Sequence, residues 1–178
     1  MDKVIKIKLN TKDLNRAIKE IEKYKQDLQQ KINIFRKRLA EEVKELAQAG
    51  FDSAIIDDAL PGYGSPRSAN VTVEVDDVGN ITTIFTNDED AIWVEFGAGV
   101  YHNGSLGSSP HPQGVKLGYT IGGFGKGYGK GKVWGYYTNP EKKEGLVLTH
   151  GTPASMPMYN AMKSVMAKAI TIAREVWK

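Results

Sequence analysis

The sequence predicts an α+β fold: an antiparallel sheet of about four to five strands packed against a long N-terminal helix and a C-terminal helix, with a long glycine-rich loop. Three observations carry that expectation. Apolar residues recur every seven positions from residue 14 to residue 46. Runs that alternate polar and apolar come in pairs around turn residues. Helices and strands do not alternate one for one, as a parallel βαβ fold would require. The 178 residues suit one domain, residues 1–178, able to bury a sizeable core. With 40% hydrophobic and 25% charged residues, the composition is that of an ordinary globular protein and argues against disorder of the whole chain. The absence of cysteine excludes disulfides, thiolate metal sites and a cysteine nucleophile. No uncharged apolar run approaches ~18–20 residues, so no membrane-spanning helix is expected. Residues 1–10 alternate lysine with valine and isoleucine and lack the apolar stretch of a signal peptide.

Each element follows from its local pattern. Residues 3–9, KVIKIKL, alternate like a short strand. Asn10, Thr11 and Asp13 then offer capping oxygens to a helix that runs to about residue 49. Leu14, Ile21, Leu28 and Phe35 form one row of its stripe. Ile18, Ile32, Leu39 and Leu46 form the other, with Lys25 where an apolar residue would belong. About 39 residues at 1.5 Å each make a rod of roughly 58 Å. A compact domain of this size has a radius of gyration of only about 16 Å. Either the helix kinks, with residues 29–33 the weakest helix formers, or part of the stripe meets another chain. Gly50 reads as the residue that ends the helix, although residues 51–60 can carry a further turn or two.

Residues 61–70, PGYGSPRSAN, read as a loop. Residues 71–75 and 81–85 alternate around Gly79 and Asn80 and form an antiparallel hairpin. Asn87 and Asp88 are placed to cap a short helix or turn carrying Ala91 to Phe96, stopped by Gly97 and Gly99. A second hairpin pairs residues 133–138 with 145–150 across the polar turn NPEKKE. Pro153 and Pro157 interrupt any helix before the last one, which spans about residues 158–177 with Ala161, Val165, Ala169, Ile172 and Val176 on its apolar face.

Glycine and charge are both distributed unevenly. Thirteen of the 19 glycines lie from Gly97 to Gly135, and residues 97–132 read as a flexible loop within the domain. Residues 1–50 carry net charge +5, residues 51–100 carry −9 and residues 101–178 carry +7. Such blocks suit a solvated surface of mixed sign, complementary faces for self-assembly or a patch for polyanions.

No constellation in the sequence has the spacing of a catalytic or metal site. His102, His111 and His150 lack any H-x-x-x-H spacing and read as loop or surface residues. Ser105, Ser108 and Ser109 lack the nucleophile elbow G-x-S-x-G. Asp76, Asp77, Asp88, Glu89 and Asp90 sit at turns and caps, where carboxylates are solvated and without the apolar pocket that acid–base work needs. Residues 122–132, GGFGKGYGKGK, do not fit the phosphate-binding pattern GxxxxGK[ST]. No cofactor is therefore expected. Lys126, Lys130 and Lys132 interleave with Phe124, Tyr128 and Trp134, a combination that suits phosphates and stacked bases. The other reading, and the favoured one, is a loop that takes shape against a neighbouring subunit.

Two segments carry a family resemblance. Residues 91–99, AIWVEFGAG, and residues 151–162, GTPASMPMYNAM, together resemble the tail-completion, or head–tail joining, family of long-tailed double-stranded DNA bacteriophages. Members typically show an aromatic-containing segment ending in Val-Glu-Phe-Gly, a variable loop, and a Gly-x-Pro-Ala-x-Pro turn that opens a C-terminal helix. Val94, Glu95, Phe96 and Gly97 match the first anchor, and Gly151, Pro153, Ala154, Pro157 and Met158 match the second. The order of helix, hairpin, loop and helix agrees over most of the chain. The loop of about fifty residues and the acidic residues 51–66 depart from the family pattern. The resemblance implies a non-enzymatic virion part made in the host bacterial cytoplasm. It implies a ring, commonly a hexamer, docked to neck connector and tail-tube proteins, with DNA passing through its channel. Trp93 and Phe96 are then expected as core or interface anchors. Glu95 is expected to pair with a lysine, to cap backbone amides or to stand exposed. The alternative from a different class is a nucleic-acid-binding module that uses the Lys/Tyr/Gly loop.

Overall fold

A computed structural model describes residues 10–56, 59–65, 67–99, 111–114, 116–117 and 133–178. The fold is α+β. Helix α1 (Thr11–Asp52) begins where Asn10 Oδ1 accepts from the Asp13 amide at 2.8 Å, satisfying one of the first-turn donors. It is continuous through residues 29–33, where Gln29 Nε2 donates to Asn33 Oδ1 at 3.2 Å, and its 42 residues make a rod of about 63 Å. It also runs through Gly50 instead of stopping there. The glycine serves a close approach: a Cβ at this position would lie 2.7 Å from Pro157 Cβ. The helix closes at Ser53, whose amide reaches Ala49 O.

Strand β1 (Ile55–Ile56) pairs antiparallel with β2 (Arg67–Ser68), so residues 51–60 turn into a strand after less than one further helical turn. Residues 71–73, expected as strand, lie outside any ladder. Gln48 on α1 takes their hydrogen bonds instead, its Nε2 donating to Val71 O (2.8 Å) and its Oε1 accepting from Val73 N (2.9 Å). Strands β3 (Glu74–Val78) and β4 (Ile81–Phe85) form the hairpin around Gly79 and Asn80. Helix α2 (Asp90–Phe96) is followed by β5 (Ala98–Gly99). The second hairpin joins β6 (Trp134–Asn139) to β7 (Glu144–Thr149). Strand β8 (Gly151–Thr152) returns to pair with β5, and α3 (Pro157–Val176) closes the described chain.

The expected single sheet of four to five strands is instead four antiparallel pairs among the described residues: β1–β2, β3–β4, β5–β8 and β6–β7. An isolated bridge between Ala59 and Thr149 ties residue 59 to β7. Four of the strands are two residues long, too short to extend a ladder sideways, and helices supply the apolar cover in place of further strands.

Helix α3 lies antiparallel to α1. Pro157 meets Gly50, Lys168 Nζ reaches Glu42 Oε1 at 2.7 Å, Arg38 Nη2 reaches Glu175 Oε2 at 2.7 Å, and the Trp177 ring stands edge-on to Phe35 at 5.4 Å. The core gathers Val43, Ala47 and Phe51 of α1 with Val71, Val73, Val94, Ala161 and Val165. All of this packing falls on the C-terminal part of α1. The 24 residues from 11 to 34 extend about 36 Å beyond the end of α3. Ala17 is buried there, but Leu14, Ile18 and Ile21 are 51%, 47% and 45% exposed.

The first hairpin is fastened to α1 by charge. Asp77 Oδ1 accepts from Arg36 Nη2 (2.7 Å) and Thr82 Oγ1 (2.9 Å), while Lys37 Nζ lies 3.4 Å from Oδ2. The Thr82 hydroxyl above all, then Lys37 and Arg36, hold the Asp77 carboxyl below the usual aspartate range. A lowered carboxyl stabilises the fold at pH values above its unfolded-state range and loses that contribution as pH falls through its folded value. Protection of the β3 and β4 amides, measured against their intrinsic exchange rates, is therefore expected to fall as pH drops below the ordinary aspartate range of about 4 in the wild type. Asp77→Asn should show fast hairpin exchange at neutral pH and no such acid transition. An unchanged acid transition in that variant would reject the assignment.

Candidate functional site

The two anchor segments, some fifty residues apart in sequence, form one joint. Its construction follows from a problem at the start of α3. Met156 precedes the helix in a left-handed conformation (φ 55°, ψ 46°) and offers no side-chain cap, while Pro157 at the first position has no amide. The next amides still need acceptors. Glu95 supplies them from α2: Oε2 accepts from Met158 N and Oε1 from Tyr159 N, each at 2.9 Å. A carboxylate at a helix N-terminus also meets the positive end of the helix dipole. Of the three alternatives for Glu95, capping of amides is the one found, and the residue is only 8% exposed.

His111 completes the clamp. Its Nε2 lies 3.1 Å from Glu95 Oε1, and its Nδ1 accepts from the Gln113 amide at 3.0 Å. That pair of bonds assigns the proton to Nε2, which donates to the carboxylate. The ring sits between Phe96 (centroids 4.4 Å) and Tyr159 (5.1 Å) and is 6% exposed. His111 stands in a turn, as the loop reading expects, but it is buried there and not on the surface. Its Nε2–H meets the buried carboxylate, its Nδ1 takes the Gln113 amide and its ring packs on two aromatic rings, and together these draw it inside. Nothing in its sequence context signals a partner 16 residues earlier.

The backbone finishes the joint. Ser155 N donates to Val94 O at 2.9 Å, and Gly99 pairs with Gly151. Gly97 adopts φ 78°, ψ 159°, a region reserved for glycine, and a Cβ would lie 3.1 Å from both the Ala154 N and Cβ. Gly97→Ala is expected to cost about 1–3 kcal/mol, read as a lower urea midpoint.

No family model, curated protein or solved structure matches the chain. The site is therefore read from its own geometry.

Val94 is fully buried in the core, whereas Trp93, Phe96 and Met158 are half-buried and, with Phe51, line a cavity of about 540 Å³ beside the joint. Asp88 and Glu89 also border it. Asp88 is committed to the fold: its Oδ2 accepts from Thr72 N at 2.7 Å. Asp90 pairs with Arg67 at 3.3 Å. Asp77, Asp88 and Asp90 are held by partners rather than simply solvated, whereas Glu89 is exposed. Pro153 is half-buried and Pro157 is buried against Gly50. Among the described residues no group of three or more His, Asp or Glu is placed to hold a metal ion, and no helix is long and apolar enough to cross a membrane. The strand at residues 3–9, His102, Ser105, Ser108, Ser109 and the loop residues Phe124, Lys126, Tyr128, Lys130 and Lys132 lie outside the described residues. Trp134 opens β6.

Proposed function

We propose that the protein is a structural virion part of a tailed phage or prophage, a tail-completion or neck component that joins tail to head connector by forming a ring. One observation carries the reading. The two segments that bear the family resemblance interlock through Glu95, Gly97 and the start of α3, so they act as a single motif and not as two short coincidences. The joint also frames the segment between residues 99 and 133, whose length and composition suit contact with neighbours. The acidic middle of the chain and its basic ends supply both signs of charge for such contacts. In this role the buried carboxylate–histidine pair is a fastening, and the work of the molecule is assembly without catalysis.

The test is electron microscopy of the purified protein mixed with head-connector and tail-tube proteins encoded beside it. Rings on the connector are the expected result. A protein that binds neither component would reject the reading. Salt-dependent DNA binding that disappears when Lys126, Lys130 and Lys132 become alanine would favour the nucleic-acid module instead.

A further inference from the structure

We infer that the overhanging half of α1 is a self-association surface on which a second copy of the chain docks antiparallel, α1 against α1. The stripe Leu14, Ile18, Ile21, Lys25, Leu28, Ile32 is spaced 4, 3, 4, 3, 4, the seam of a helix that meets another helix with the same repeat. Further along α1, Phe35 and Leu39 continue the same 4, 3 spacing. There α3 covers the helix running antiparallel, with Trp177 against Phe35, while Leu39 packs against the core. The molecule already shows which kind of partner this stripe takes. Beyond Trp177 no described element is seen to cover the seam, and Leu14, Ile18, Ile21 and Ile32 are 40–51% exposed, while Ala17 on its flank is buried.

One register fills it. Setting Leu14 opposite Ile32 of the second copy sets Ile18 opposite its Leu28 and Ile21 opposite its Lys25. The two-fold axis repeats each contact. All six layers fall within residues 14–32. The second copy's α1 begins at Thr11, opposite Phe35, the residue that Trp177 of the first chain meets, so the docked helix starts where α3 ends. Lys25, the single charge in the seam, then faces Ile21 with Glu22 of the second copy one position away. That glutamate supplies the counter-charge which a lysine in a seam requires. Six layers are fewer than three full heptads, so the pair is reversible and concentration-dependent.

The contact is a property of the free protein and does not rest on the neck reading. Size-exclusion chromatography with light scattering on the full chain, without connector proteins, is expected to show a dimer at high concentration that dissociates on dilution. Ile18→Glu with Ile21→Glu should give a monomer whose unfolding midpoint matches that of diluted wild type. The chain has no cysteine, which makes crosslinking clean. Leu14→Cys/Ile32→Cys should form a covalent dimer on oxidation, because the two positions are about 27 Å apart within one helix and adjacent only across the pair. Each single cysteine variant should stay uncrosslinked. A single-chain mass at every attainable concentration would overturn the proposal. So would a double variant that fails to crosslink, or single variants that crosslink as readily, since those report a parallel pairing.

Discussion

Glu95→Ala is expected to lower the free energy of unfolding by about 3 kcal/mol. Loss of a helix cap alone costs about 0.5–2 kcal/mol, with hydrogen bonds to a charged group at the upper end. Here two amides lose their acceptor together, and the buried His111 Nε2–H loses its partner as well. The effects overlap, so the total stays below their sum. Glu95→Gln is no rescue: one amide oxygen cannot serve Met158, Tyr159 and His111, and its NH2 would face another donor. It should cost about 2 kcal/mol. His111→Ala, which leaves the helix cap in place, should cost less than Glu95→Ala, and a double-mutant cycle should show coupling between the two. Urea denaturation reads all three, with an unchanged slope confirming that the folded state is the one affected. Hydrogen exchange should locate the damage at β5, β8 and the first turn of α3. A loss below about 0.5 kcal/mol for Glu95→Ala, the level of an ordinary surface change, would show that the clamp does not hold the joint.

That clamp also marks where the sequence is informative and where it is silent. Helices α1 and α3 follow from seven-residue and 3.6-residue periodicity, and both hairpins follow from alternation around turn residues, because those patterns are local. The α1 boundary at Gly50 misleads for a physical reason. Glycine marks helix ends when it adopts a left-handed conformation, but here it makes room for Pro157, a contact 107 residues away. The pairs β1–β2 and β5–β8 leave no pattern, since two-residue strands are too short to show a period. Val71 and Val73 alternate as a strand would, yet Gln48 supplies the partners that a neighbouring strand would otherwise give. Glu95 between Val94 and Phe96 is visible as an oddity, a carboxylate set among apolar residues. Its use depends on amides 63 and 64 residues later, and only the fold brings them together.

Phe51→Ala is expected to be as damaging as any substitution in the chain, about 3–5 kcal/mol. The ring is fully buried at the end of α1, in the cluster that includes Ala47, Ile56 and Val94, and it also walls the cavity beside the joint. Truncation there enlarges a space that is already open, and the neighbours that could close over it are fixed by the Glu95 clamp and by the Gly50–Pro157 approach. A site that cannot collapse belongs at the upper end of the range. Leu14→Ala on the same helix should change the stability of the monomer by less than about 0.5 kcal/mol, because its side chain is half exposed before it is truncated. Thermal or urea unfolding of dilute protein compares the two directly. Equal losses at both positions would mean that the overhang is packed as firmly as the core, and the division of α1 into a folding half and a docking half would fall. A large loss at Phe51 beside a small one at Leu14 requires that division. The seven-residue repeat continues past the end of α3, and under the proposed pairing the apolar residues of that stretch act between chains.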